Sequence, residues 1–80
     1  MGDDMSRLRD LRKKRKFTQV KMQMLTGIDQ SDYSKIERGY RNMSFDQCKR
    51  IALALRTSMD YLAELTDDPN PYPRKTQTKE

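Results

Sequence analysis

The chain has no histidine and a single cysteine, Cys48, so neither an internal disulfide nor a Cys/His zinc cluster can form. It also has no phosphate-cradling glycine loop, no Cys/His pair and no recognisable set of metal ligands, which removes the usual signs of catalysis. No enzymatic activity, cofactor or metal is expected. Ser34 and Lys35 are adjacent and would point apart on a helix, so they do not make a nucleophile and its base. The first residues lack the apolar run of a secretory signal, and nowhere do the about 18 consecutive apolar residues of a membrane span occur. A cytoplasmic protein without membrane contact is the expectation, and Cys48 then reads as a core thiol.

What is present is small, polar and basic. Eighty residues and 9.5 kDa leave room for one domain, of a size at which core burial gives marginal stability. Hydrophobic residues make up 34% and charged ones 36%, an ordinary balance for short amphipathic helices, each of which must use its apolar face. The net charge of +5 favours polyanions or acidic surfaces as partners without choosing among them.

The most structured signal lies at residues 18–39, TQVKMQMLTGIDQSDYSKIERG. Thr18 can cap a helix start while Phe17 staples onto Met22 one turn in. Gly27 can take the positive φ that ends that helix. Asp29 then caps a second helix, over which Ile28 can staple onto Tyr33, and Gly39 closes it. At about 100° per residue, Tyr33 and Ile36 fall on one side of the second helix, and Gln30, Ser31, Ser34 and Lys35 share the opposite arc. Those side chains are the types that bond base edges in a major groove, glutamine to adenine above all; on an arbitrary helix the same arc would be only a solvated polar face.

With TQ at 18 and 19, TGI at 26–28, Gln30 and Ser31, SKIERG at 34–39 and SMDYLAELTDDP at 58–69, the chain resembles the Cro or XRE type of helix-turn-helix domain found in phage repressors. The resemblance covers roughly residues 5–69. It implies an all-α fold, a compact five-helix lambda-repressor-like DNA-binding domain with the helix-turn-helix formed by helices 2 and 3. It also implies that residues 30–38 are the recognition helix, with Gln30, Ser31 and Lys35 at base-reading positions and Ser34 on the same face. Thr18 and Gln19 would sit at a phosphate-contacting helix start. By the same resemblance Arg12 and Glu37 form an ion pair between the first and third helices, and the loop after Gly39 contacts phosphates through Tyr40, Arg41 and Asn42, with Arg38 beside them. Taken alone, Arg41 can also be read as a solvated loop cation.

Several residues depart from that pattern. Gln23 replaces a small alanine where the two motif helices meet, and must widen the contact or reach past it. Tyr33 occupies an aliphatic core position, so its hydroxyl needs a partner or an exit to solvent. Asp32 adds negative charge near a polyanion, either accepting from a cytosine amino group or lying on the rim. Met43 stands where a proline is frequent, leaving the loop less rigid.

Elsewhere, Asp4 caps a first helix running to about residue 15, with Met5, Leu8 and Leu11 inward. Arg7, Arg9, Lys13, Lys14, Arg15 and Lys16 form a charge run, read either as a solvated helix end or as a non-specific attractor of the DNA backbone. In the second helix Met22 and Leu25 suit the core, whereas Val20 and Met24 lie on another side, packed under a neighbour or exposed as a partner patch. Ser44 opens a fourth helix with capping-box spacing, Met43 staples onto Cys48, and Phe45, Cys48, Ile51, Ala52 and Leu55 form its inward stripe. Ser58 caps a fifth helix with Met59, Leu62, Ala63 and Leu65 inward and Tyr61 at the boundary. Residues 1–66 therefore read as the DNA-binding domain, and 67–80, with three prolines and no aliphatic residue, as a flexible polar tail in place of the second domain of large phage repressors.

The functional expectation is a transcriptional repressor that binds double-stranded DNA as a homodimer at an inverted repeat. The alternative is an antitoxin-like or adaptor module that uses the same fold to bind a protein partner.

Overall fold

The computed structural model describes residues 6–73. The proposed cap Asp4 and core residue Met5 lie outside the described residues. Five helices follow one another: α1 (Ser6–Lys14), α2 (Gln19–Thr26), α3 (Gln30–Glu37), α4 (Phe45–Leu55) and α5 (Met59–Leu62), with no strand among the described residues. None of these helices is long and apolar enough to cross a membrane.

Four helix starts are set by local chemistry. The Thr18 hydroxyl accepts from the Lys21 N–H at 3.0 Å, the Asp29 carboxylate from the Ser31 N–H at 3.1 Å, and the Ser58 hydroxyl from the Tyr61 N–H at 2.9 Å. At α4 the capping box is complete: the Ser44 hydroxyl accepts from the Gln47 N–H, and the Gln47 amide oxygen accepts from the Ser44 N–H. Each such cap satisfies a backbone donor that the helix itself leaves unpaired. The turn between α2 and α3 depends on Gly27, at φ 76°, a backbone conformation that costs a side-chain-bearing residue about 1–2 kcal/mol. The site is also crowded, since a Cβ there would stand 3.2 Å from the Arg50 guanidinium, which donates to the Thr26 carbonyl.

The core takes Leu8 and Leu11 from α1, Met22 from α2, Ile28 from the turn, Tyr33 and Ile36 from α3, Ile51, Ala52 and Leu55 from α4, and Leu62 from α5. Phe17, Met43, Cys48, Met59 and Tyr61 close its margin. Burial raises the pKa of the half-buried Cys48 thiol.

Four apolar positions differ from the periodic reading. Leu25 is 44% exposed, and Thr26 is buried in its place. Thr26 can occupy the core because its hydroxyl donates to the Met22 carbonyl at 2.7 Å and accepts from the Ile28 N–H at 3.1 Å. Phe45, in the first turn of α4, is 78% exposed; it borders a groove of about 770 Å³ whose other walls include Met43, Cys48, Met59 and Ala63. Ala63 and Leu65 also lie on the surface because α5 is only one turn long. Glu64, at φ 65°, turns the chain, and the Leu65 N–H returns to the Asp60 carbonyl.

The charge run of α1 is partly structural. Arg7 donates to the Tyr61 and Thr66 carbonyls at 2.9 and 2.7 Å, pairs with Asp67, and lies 4.3 Å from the centre of the Tyr61 ring. Arg15 donates to the Leu55 carbonyl at 2.8 Å, satisfying the C-terminal end of α4. Besides the Arg7–Asp67 pair, the polar segment after residue 66, as far as 73, returns to the domain at two further points. The buried Thr57 hydroxyl donates to the Pro69 carbonyl at 2.6 Å, and the Tyr72 hydroxyl to the Asp60 carboxylate at 2.7 Å.

Candidate nucleic-acid interface

α2 and α3 pack on each other across the Gly27 turn, with α1 and α4 behind them. Tyr33, Ile36 and Glu37 turn inward, whereas Gln30, Ser31 and Lys35 are exposed and Ser34 is half-buried beside them. The four polar residues thus share one arc of a helix whose opposite arc is fixed in the core.

The orientation of that arc is determined by a chain of polar contacts. Arg12 and Glu37 form a two-point ion pair, Nε to Oε2 at 2.6 Å and Nη2 to Oε1 at 3.0 Å, with Glu37 almost fully buried. Arg12 also donates to the Phe17 carbonyl at 2.9 Å, fixing the approach to α2. The Gln19 amide nitrogen donates to Glu37 Oε1 at 3.2 Å, while its oxygen lies 3.4 Å from the Gln30 amide nitrogen. One carboxylate therefore links α1, α2 and α3, and through Gln19 reaches a side chain on the exposed arc.

Burial alone would raise the pKa of Glu37, but its hydrogen bonds, that from Arg12 foremost, outweigh this and hold it below the ordinary carboxylate value. The same hydrogen bond to Glu37 raises Arg12 further. Burial, and after it the neighbouring Glu37 carboxylate, push the Tyr33 phenol well above its usual pKa. The Tyr33 hydroxyl is close enough to feel that charge, yet no group among the described residues closes a hydrogen bond of normal geometry on it.

Gln23 reaches past the helix contact. Its amide oxygen accepts from the Gln30 backbone N–H at 2.6 Å, so the first turn of α3 is capped from α2 as well as by Asp29. The signal for this was the presence of a long amide at a contact position, although its partner could not be read from periodicity.

The flanking residues divide into two groups. Thr18 and Gln19 stand at the start of α2, where the side chains of both are already engaged within the protein. Arg38, Tyr40, Arg41 and Asn42 lie at the surface beyond the C-terminal end of α3, with the Arg38 guanidinium 5.0 Å from the centre of the Tyr40 ring. Arg41 donates to the Asp32 carboxylate at 2.7 Å, which ties the loop to the helix. Sequence reasoning missed that pair, whose members lie nine residues apart across the Gly39 reversal. Val20 and Met24 are 54% and 73% exposed, so among the described residues neither is packed under a neighbour.

The helix-turn-helix family model matches residues 8–62, more than half of the chain. The chain belongs to this helix-turn-helix family. Among curated proteins this helix-turn-helix chain is 35% identical over 74 residues to one recorded as the uncharacterized HTH-type transcriptional regulator YobD of Bacillus subtilis (strain 168). The alignment covers 92% of this chain and 66% of that relative, so the chain spans just under two thirds of its length. No solved structure matches.

Proposed function

We propose that the chain is a sequence-specific DNA-binding transcriptional regulator, acting in the cytoplasm as a repressor that occupies an inverted-repeat operator. The observation that carries this reading is the exposed arc of Gln30, Ser31, Ser34 and Lys35, whose orientation is held from behind by Gln19, Gln23 and the Arg12–Glu37 pair. In a major groove Gln30 would bond an adenine edge, Ser31 and Ser34 would take adaptable base or phosphate contacts, and Lys35 a guanine acceptor. The start of α2 at Thr18 and Gln19 would meet a phosphate through its backbone N–H groups, and Arg38, Tyr40, Arg41 and Asn42 would take the next ones. The family and the name of its Bacillus relative support the same reading.

The proposed form is a homodimer, whose two-fold axis would set two recognition helices one turn of B-DNA apart, about 34 Å, and make the operator an inverted repeat.

The test is selection of bound duplexes from a randomised pool, then titration of the selected duplex at two salt concentrations. An enriched inverted repeat, with affinity falling steeply as salt rises, is expected. With Gln30→Ala, preference should relax at one base pair at a cost of about 1–3 kcal/mol. A pool with no enriched motif would refute the reading. The exposure of Val20 and Met24 favours a second one, a protein-interaction module whose apolar contact would be nearly insensitive to salt.

A further inference from the structure

Asp32 is an acid on the helix that, in the reading above, enters a polyanion. Its partner Arg41 comes from the loop after Gly39, and the two side chains are 37% and 47% exposed. An ion pair so exposed contributes about 0–1 kcal/mol to folding, and Asp32 in the first turn of α3 adds about 0.3–1 kcal/mol through the helix dipole, a contribution that needs the carboxylate but not its contact with Arg41. At about 100° per residue Asp32 lies roughly 60° around α3 from Lys35, at the border of the arc that carries Gln30, Ser31, Ser34 and Lys35. One Arg41 nitrogen, Nη1, engages Asp32. A guanidinium has five donors in a rigid fork, and one oxygen of one carboxylate leaves most of them for another anion.

We infer that Asp32 is a positioning residue that sets specificity. It holds Arg41 at the Lys35 edge of the recognition helix so that the guanidinium bridges the carboxylate and one DNA backbone phosphate. In the register where a phosphate occupies that point, the two anions share one cation. In any other register Arg41 stays paired with Asp32 and meets no phosphate, so the pair brings no net positive charge to the backbone and its carboxylate still lies within the Debye length of about 8 Å of neighbouring phosphates. Asp32 thereby weakens binding to DNA in general more than binding to the operator. The inference rests on the DNA-binding reading above.

The test uses the full chain, the duplex selected by the wild type and a scrambled duplex of equal length, titrated with the wild type, Asp32→Asn, Arg41→Ala and the double variant. Asp32→Asn should tighten scrambled binding about two- to fivefold by removing one repulsive charge, while leaving operator binding unchanged or weaker, so that the ratio of the two narrows. Arg41→Ala should weaken operator binding about tenfold alone but by clearly less in the Asp32→Asn background, because no carboxylate is then left uncompensated. Equal tightening on both duplexes, no change on either, or strictly additive effects of the two substitutions would each overturn the inference while leaving the regulator reading intact. Failure of the wild type to enrich any duplex would overturn that reading itself, and it is read before any variant is made. Thermal midpoints of the variants within a few degrees of the wild type would show that folding is not the cause, as expected for an exposed pair.

Discussion

Removing either member of the Arg12–Glu37 pair should cost the domain a large part of its stability, while removing both should cost far less. The pair is buried and bidentate, at 2.6 and 3.0 Å, and it is surrounded by groups that use the same carboxylate. Replacing one partner leaves the other charge desolvated without compensation, typically a loss of about 3–5 kcal/mol. A domain of 80 residues, at roughly 0.05–0.15 kcal/mol per residue, has about 4–12 kcal/mol to lose. Glu37→Gln and Arg12→Met should therefore each lower the urea midpoint strongly, followed by helical circular dichroism at pH 7. The double variant Arg12→Met/Glu37→Met should recover most of the loss, reduced by the contacts that Gln19 and the Phe17 carbonyl forfeit. The effect also depends on pH in a stated direction. The pKa of Glu37 is lower in the folded chain, so its contribution is present above the unfolded value of about 4.3 and is lost as pH falls through the folded value. The gap between wild type and Glu37→Gln should accordingly shrink in acid. Single losses below about 1 kcal/mol, the range of surface pairs, or a double variant equal to the sum of the singles, would refute the argument.

Three further substitutions read separate parts of the framework. Tyr33→Phe removes a buried hydroxyl that closes no hydrogen bond, so stability in urea should be unchanged or up to about 1 kcal/mol higher; a loss above that would place a bond to Glu37 there. Gly27→Ala meets both a left-handed backbone and the Arg50 guanidinium at 3.2 Å, and should cost at least about 1–2 kcal/mol by thermal unfolding, a negligible change being the contrary result. Gln23→Ala takes away the acceptor of the Gln30 N–H and should cost about 1 kcal/mol, the usual worth of a helix cap; hydrogen exchange of that amide should accelerate, and an unchanged rate would contradict the assignment.

Local grammar was legible in the sequence. Thr18, Asp29, Ser44 and Ser58 all cap as their spacing implies, Gly27 and Gly39 take positive φ, and the inward stripe of α4 holds from Cys48 to Leu55. Those features depend on neighbours within one turn. Leu25 and Phe45 misled because periodicity gives an angle and not the extent of what lies opposite. A threonine with both of its hydrogen bonds satisfied takes the inner place beside Leu25, and the first turn of α4 borders an open groove. The uses of Arg7, Arg15, Gln23 and Asp32 were not legible, since each partner lies across a chain reversal or on a distant element. For those side chains composition offers only a charge or an amide, and the fold supplies what it meets.

The candidate interface inherits its rigidity from contacts outside α3, and this follows from length. A helix of eight residues is far below the about 12–15 at which an isolated helix becomes even marginally stable in water, so α3 exists because its neighbours hold it. Its first turn is held by Asp29 and by Gln23, its last turn by Glu37 against Arg12, and Gln19 stands between the two ends with one amide atom toward each. Of these contacts, the one between Gln19 and Gln30 is the longest, at 3.4 Å, and therefore the weakest. Loss of the Glu37 carboxylate frees Gln19 to turn, which releases Gln30 while the caps at Asp29 and Gln23 remain. Mild damage to the buried pair should therefore loosen the orientation of Gln30 before α3 itself unravels, and under the DNA-binding reading discrimination between sequences would fall at temperatures where the helix content is still intact.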